Sequence, residues 1–234
     1  MSRSVLVTGG NRGIGLAIAR AFADAGDKVA VTYRSGEPPE GLFGVQCDVT
    51  DTASVQRAYD EVVAQQGAPQ VLVCNAGITR DGLLLGLSEE DFTAVIDTNL
   101  LGAMRAVKAC LHNMVRARWG RIILIGSTQA LWGSPGVTNY AASKAGLAGF
   151  ARSLAWEVGQ RKVTVNVVYP GLIDTDMVSG LSAEHRDYLI GITALRRSGS
   201  PEEVAPVVRF LASDDASFMT GALVPVSGGQ GLGH

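Results

Sequence analysis

The sequence predicts an α/β fold, a doubly wound parallel sheet with helices on both faces, and three observations carry that prediction. Seven short apolar runs alternate with helical stretches over the 234 residues. The first run enters a glycine turn and a helix, and the second then completes a β-α-β unit of about thirty residues. No internal repeat, linker or compositional break interrupts the alternation, so residues 1–234 read as one domain.

Ser4-Val5-Leu6-Val7-Thr8 is the first strand, and Gly9-Gly10-Asn11-Arg12-Gly13-Ile14-Gly15 follows at once, ahead of the helical Leu16 to Phe22. Glycines let a backbone approach a pyrophosphate closely, and the open amides and dipole of a helix start stabilise its charge. Gly9, Gly13 and Gly15 give G-x-x-x-G-x-G rather than the commoner dinucleotide spacing G-x-G-x-x-G. Residues 28–33 form the second strand. At its end, where a carboxylate would bind the adenosine ribose and repel a 2′-phosphate, stands Tyr33-Arg34-Ser35. Arg34 offers a planar fork for that phosphate and Arg12 could share it, which favours NADP(H) over NAD(H).

Residues 42–47 form the third strand, with Asp48 and Val49 at its end; Asp48 reads equally well as the cap of the next helix. Residues 70–74 form the fourth and run into the small-residue turn Asn75-Ala76-Gly77. Ser88 caps a helix whose first turn holds Glu89, Glu90 and Asp91. A buried asparagine needs partners, so Asn99, further along, could bend the helix and hold a water, or be a structurally satisfied core amide. A helix over 104–118 follows, with Gly120 as its stop before the fifth strand, Ile122-Ile123-Leu124-Ile125. Residues 163–168 and 223–226 supply the last two strands. Between them, residues 178–199 lack a clear period and predict short helices acting as a movable lid. Ser200-Pro201-Glu202-Glu203 then opens a helix with a cap, a first-position proline and an acidic first turn. Gly228, Gly229, Gly231 and Gly233 predict a flexible carboxyl tail. The whole reads as a single-domain Rossmann fold with a seven-stranded sheet.

Composition narrows the function classes. Hydrophobic residues make up 47% of the chain and charged ones 18%, enough for a substantial core. A formal charge of −2 gives no electrostatic case for nucleic acid or an acidic membrane surface. No apolar run approaches the ~20 residues that cross a bilayer. Because the amino terminus enters a strand at once, a soluble cytoplasmic protein is expected. Cys47, Cys74 and Cys110 are widely spaced in apolar surroundings, and His112, His185 and His234 form no cluster, so neither a disulfide framework nor a metal site is expected.

The chemistry concentrates between Ser127 and Lys144. A helix entered near Tyr140 puts positions i and i+4 on one face, bringing the ammonium of Lys144 beside the phenol of Tyr140. A neighbouring cation favours the phenolate, so Lys144 is expected to draw the Tyr140 pKa down toward neutrality and make it a usable acid and base. Ser127 follows the fifth strand, at the carboxyl end where open α/β sheets bind ligands. Its hydroxyl could bond a substrate carbonyl.

Ser127, Tyr140-Ala141-Ala142-Ser143-Lys144 and the glycine turn together resemble the short-chain dehydrogenase/reductase family over residues 5–229. Within it the chain is most similar to bacterial 3-oxoacyl-acyl-carrier-protein reductases, in Ser4 to Arg34, Asn75 to Asp81, Asn139 to Gly149, Asn166 to Met177 and Phe210 to Asp215. The resemblance implies NADPH-dependent ketone reduction with Ser127, Tyr140, Lys144 and Asn99 as the catalytic set. It also implies Asp48 and Val49 at the adenine, Asn75, Ala76 and Gly77 along the cofactor cleft, Pro170, Gly171, Ile173 and Thr175 at the nicotinamide, and a homotetramer. Arg118 and Arg161 fall where those reductases carry basic residues that meet the acidic carrier protein. Val137 stands where the group has a glutamine, Tyr169 where it has a small residue, Trp156 where an arginine is common and Arg196 where it has glycine. These departures leave open a CoA thioester, a polyketide intermediate or another ketone as substrate. An NADPH-binding sensor without turnover is the alternative of another class.

Overall fold

The computed structural model describes residues 2–178 and 180–230. Seven parallel strands, β1 (Ser4–Thr8), β2 (Lys28–Tyr33), β3 (Phe43–Gln46), β4 (Val71–Cys74), β5 (Gly120–Ile125), β6 (Val163–Pro170) and β7 (Leu223–Val226), form one sheet in the order β3-β2-β1-β4-β5-β6-β7. Chain direction across the sheet reverses between β1 and β4, and the crevice outside their carboxyl ends is where such sheets take ligands.

The strands are apolar runs because both faces are covered. Leu6, Leu72, Ile122, Leu124 and Val165 point to one face. There they pack on α2 (Thr52–Gln66), α4 (Gly102–Ala117) and α6 (Thr138–Val158). Val5, Val7, Val73 and Ile123 point to the other, against α1 (Gly13–Asp24) and α8 (Pro201–Leu211). Period-two alternation therefore sorts one run of sequence into two cores.

Helix boundaries follow capping chemistry. Ser88 accepts the Asp91 amide at the start of α3 (Glu89–Ile96), as expected, and the Glu203 carboxylate accepts the Ser200 amide at the start of α8. Two expectations are corrected. Asp51, not Asp48, caps α2, accepting the Ala53 amide at 2.9 Å. And α4 ends at Arg118, in the left-handed conformation at φ 54°, whereas Gly120 is already the first residue of β5. Between α3 and α4 the helix passes through a π turn over Asp97–Leu101, with Asn99 at its centre, and the single-turn helix α5 (Gln129–Trp132) follows β5. The irregular stretch before α8 holds a single turn over Asp176–Val178 and a helix, α7 (Ala183–Gly191). The tail also departs from expectation. Gly228 and Gly229 adopt positive φ and fold the chain back, so that Gln230 is only 4% exposed. Gly231, Gly233 and His234 lie outside the described residues.

Candidate active site

The glycine turn has room for backbone and nothing else. A Cβ on Gly9 would fall 2.9 Å from the Ala76 Cα, and one on Gly15 would fall 2.3 Å from the Gly9 carbonyl oxygen. Gly13 has φ 53°, where side chains are strained. Helix α1 begins there with no side-chain cap, so its first amides remain open to a phosphate. Thr8 ties the turn to β4: its hydroxyl accepts the amides of Asn75 and Ala76, while the Asn75 side chain donates to the carbonyls of Thr8 and Gly9. The Asn75-Ala76-Gly77 turn thus fixes the cleft by hydrogen bonds. This cradle fits a dinucleotide.

At the outer rim Asn11 donates to the Ser35 carbonyl, which joins the glycine turn to the segment after β2. Arg12 and Arg34 are exposed on that rim, and neither forms an ion pair among the described residues. Asp48 accepts the amide and hydroxyl of Thr50, bonds that hold its pKa below the usual value. Val49 is buried under α4, and a Cβ on Gly102 would reach within 2.8 Å of its side chain.

Ser127, Tyr140 and Lys144 do meet. They line one cavity of about 240 Å³ with Asn75, Ile14 and the segment from Pro170 through Thr175. Thr175 lies over Gly13, and Pro170 accepts the Thr128 amide, so the 170–175 segment bridges the catalytic strand end and the glycine turn. Lys144 is 4% exposed, donates at 2.7 Å to the carbonyl of Ile125, the last residue of β5, and stands 5.8 Å from the centre of the Tyr140 ring. Asn99 is 1% exposed; its carbonyl accepts the Ile78 amide, and its amide donates to the Ile78 carbonyl and the Ser143 hydroxyl. Ser143 in turn donates to the Tyr140 carbonyl. The bend expected at Asn99 is the π turn, and its side chain holds the 75–78 segment against α6.

The electrostatic expectation for Tyr140 is corrected. Burial raises its pKa above the usual phenol value, a hydrogen bond from Ser127 offsets part of the rise, and the Asp81 carboxylate adds to it. Lys144 is not among the groups that lower it. Loss of water acts on Lys144 too, taking its pKa down to about 8. At neutral pH the site therefore holds a firmly protonated phenol beside a weakly held ammonium.

The departures fall in different places. Tyr169 is fully buried in the core, its ring filling the space beside Gly126, where a Cβ would come within 2.3 Å. It therefore supports the Ser127 turn without lining the cavity. Val137 does line it, while Trp156 is 91% exposed on α6. Arg196 takes φ 54°, a conformation natural to glycine. Arg118 and Arg161 lie at the amino ends of β5 and β6, with the Arg118 guanidinium donating to the Gln160 carbonyl, at the opposite end of the strands from Ser127. The cavity residues that escaped the sequence reading include Asp81, whose carboxyl is pushed up by burial, and Gln230. The only hint of Gln230 was a large polar residue set among glycines. Among the described residues no group of His, Cys, Asp and Glu could hold a metal, and the three cysteines are free and buried.

Residues 9–230 match the family model described as Enoyl-(Acyl carrier protein) reductase. The chain is 52% identical to the 3-oxoacyl-[acyl-carrier-protein] reductase MabA of Mycobacterium tuberculosis, over all of this chain and 95% of that protein. It is 46% identical to the reductase FabG of Pseudomonas aeruginosa and 44% to that of Escherichia coli, each over 96% of both chains. With its parallel sheet, glycine cradle and Ser127, Tyr140 and Lys144 around one cavity, the chain belongs to the short-chain dehydrogenase/reductase family of nicotinamide-dependent oxidoreductases.

Proposed function

We propose that this chain, as a single domain, uses NADPH to reduce the ketone of a 3-oxoacyl thioester on acyl carrier protein to the 3-hydroxyacyl form, in fatty acid synthesis. The observation that carries the reading is the meeting of Ser127, Tyr140 and Lys144 with the 170–175 segment in one cavity. The bound nicotinamide supplies hydride to the ketone carbon. The chain's own residues manage the oxygen and its proton. Ser127 and Tyr140 direct two hydroxyls at the ketone oxygen, and Tyr140 gives up its proton as negative charge grows there. A raised phenol pKa suits this direction, because the acid stays loaded at neutral pH while an alkoxide remains a far stronger base than a phenolate. Lys144, anchored on Ile125, keeps donors for the nicotinamide ribose, and Asn99 supports proton resupply through a water near Lys144.

Arg12 and Arg34 support NADP(H) over NAD(H), since two exposed cations stand on the rim with no carboxylate at the end of β2. The family model's description favours a second reading, reduction of an enoyl thioester. The relatives' names favour the ketone, and so do two hydroxyls converging where a product oxygen needs a proton. Purified protein given NADPH with acetoacetyl and crotonyl thioesters separates the two: consumption with the first alone is expected, and consumption with crotonyl alone would overturn the ketone reading.

For partners we propose a homotetramer in the cytoplasm. Exposed Trp156, Leu101 and Phe218 supply apolar surface for contact between copies, and light scattering tests the mass. Arg118, bonded to the Gln160 carbonyl, and the adjacent Arg161 supply a basic patch for the carrier protein. A six-residue strand spans about 20 Å, so that patch is a full sheet height from Ser127 of the same chain. Selectivity for the carrier-protein over the CoA thioester should fall in Arg118→Glu and Arg161→Glu; unchanged selectivity would remove both residues from the docking surface.

A further inference from the structure

We propose that Gln230 positions the substrate by donating its side-chain amide to the thioester carbonyl, the second oxygen of a 3-oxoacyl group. The inference rests on the 3-oxoacyl reading above. Such a substrate carries two acceptors separated by one methylene. Ser127 and Tyr140 face the ketone oxygen, and the thioester oxygen, taken out of water in the same cavity, needs a donor of its own.

Gln230 is built into that cavity. It is 4% exposed and lines the wall shared by Ser127, Tyr140 and Gly171. Its carbonyl Oε1 accepts the Thr128 hydroxyl at 3.2 Å, and a Cβ on Gly171 would meet the same oxygen at 3.0 Å. The main chain is pinned as well: the Gln230 amide donates to the Ser227 carbonyl, and the Ser227 hydroxyl donates to the Gln230 carbonyl. Gly228 and Gly229 make the turn, wedged against Thr193 and Ala194, which follow α7.

The orientation of the amide follows from Thr128. That residue is 2% exposed, so its hydroxyl proton needs an acceptor, and the Gln230 carbonyl is the one it has. The amide nitrogen Nε2, at the end of a side chain that lines the cavity, then has no hydrogen-bond partner among the described residues and is not fully occluded. Its anchor, Thr128, is the residue after Ser127, so the free N–H and the Ser127 hydroxyl are held by neighbouring positions of one turn. Gln129 stands on the same wall, but it is only half-buried and no side-chain bond orients it.

The test compares Gln230→Met, which keeps the volume and removes the amide, with the parent enzyme. Both are given NADPH with acetoacetyl-CoA and with the matching 3-ketothioether, in which a methylene replaces the thioester carbonyl. Losing one hydrogen bond between neutral partners predicts a fall of about threefold to tenfold in kcat/KM on the thioester. The change on the thioether should stay under about twofold with NADPH affinity as in the parent, while the melting temperature falls because the buried Thr128 hydroxyl loses its acceptor. Thr128→Val, which leaves the amide present but unanchored, should show a smaller loss with the same selectivity. Equal losses on both substrates would make Gln230 a structural plug and overturn the proposal, as would no loss on either. A parent that leaves the thioester untouched removes the 3-oxoacyl reading and this one with it, whereas a parent that reduces it with Gln230→Met unchanged removes only the role of Gln230.

Discussion

The two ends of the cleft are closed by different means. Under the glycine turn the walls are backbone: Gly9 lies on Ala76, Gly15 on the Gly9 carbonyl, and Thr8 and Asn75 lace the strand ends together. Over Ser127 the walls are side chains gathered from residues far apart in sequence, Val137, Leu181, Leu189 and Gln230 among them. Where the main chain itself must make the contact, few residue types will serve and the sequence declares them. Where a side chain's shape decides, substitution reshapes the pocket and leaves the fold intact.

The largest expected effect strikes the chemistry where the two ends meet. Tyr140→Phe should lower turnover by about 10²–10⁴-fold while NADPH binding, followed by fluorescence titration, stays as in the parent. Next comes a probe of the backbone wall: Gly15→Ala should cost about 1–3 kcal/mol of stability in a denaturant melt and weaken NADPH, because the added methyl group meets a carbonyl oxygen that cannot move aside. An effect confined to catalysis with an unchanged melt would break the contrast between the ends. Arg34→Leu should raise KM for NADPH about tenfold and leave NADH unaffected, since the lost contact is with the 2′-phosphate alone.

Lys144 adds a pH dependence with a definite sign. Its folded pKa of about 8 lies below the ordinary 10.5, so between those values the unfolded chain binds the extra proton. Parent protein should therefore gain stability relative to Lys144→Met as pH rises through that window, and reduction should slow above about pH 8 as the ammonium is lost. Because Lys144 and Tyr140 lie together, the midpoint belongs to the pair. The smallest effect is expected at Arg196→Gly, outside both walls. It relieves a left-handed backbone but gives up the bond from the Arg196 guanidinium to the Gly191 carbonyl, for a net gain under about 1 kcal/mol in a thermal melt.

This contrast also explains what could be read from the sequence. Strand β2 is legible to the residue, and Tyr140 falls beside Lys144, because strand period and helical i, i+4 geometry are local rules, whereas Ser127 joins them only through the family resemblance. The Tyr140 pKa was misjudged because nearness to a cation is local, whereas loss of water depends on the whole cleft. The end of α4 was misplaced because Arg118 accepts the left-handed conformation that glycine usually takes. Gln230 was read as part of a loose tail because its burial depends on Thr128 and on the chain after α7, contacts that no local pattern encodes.

The extra residue wound into the helix at Asp97–Leu101 sets an angular phase. Each residue of an ordinary helix turns the chain by about 100°, so removing one here would restore regular winding and swing everything from Glu89 onward out of step with Ala103, Val107 and Met114. Asn99 would then turn from the catalytic helix toward some other neighbour. An irregularity five residues long keeps two stretches of one rod aimed at two different tasks.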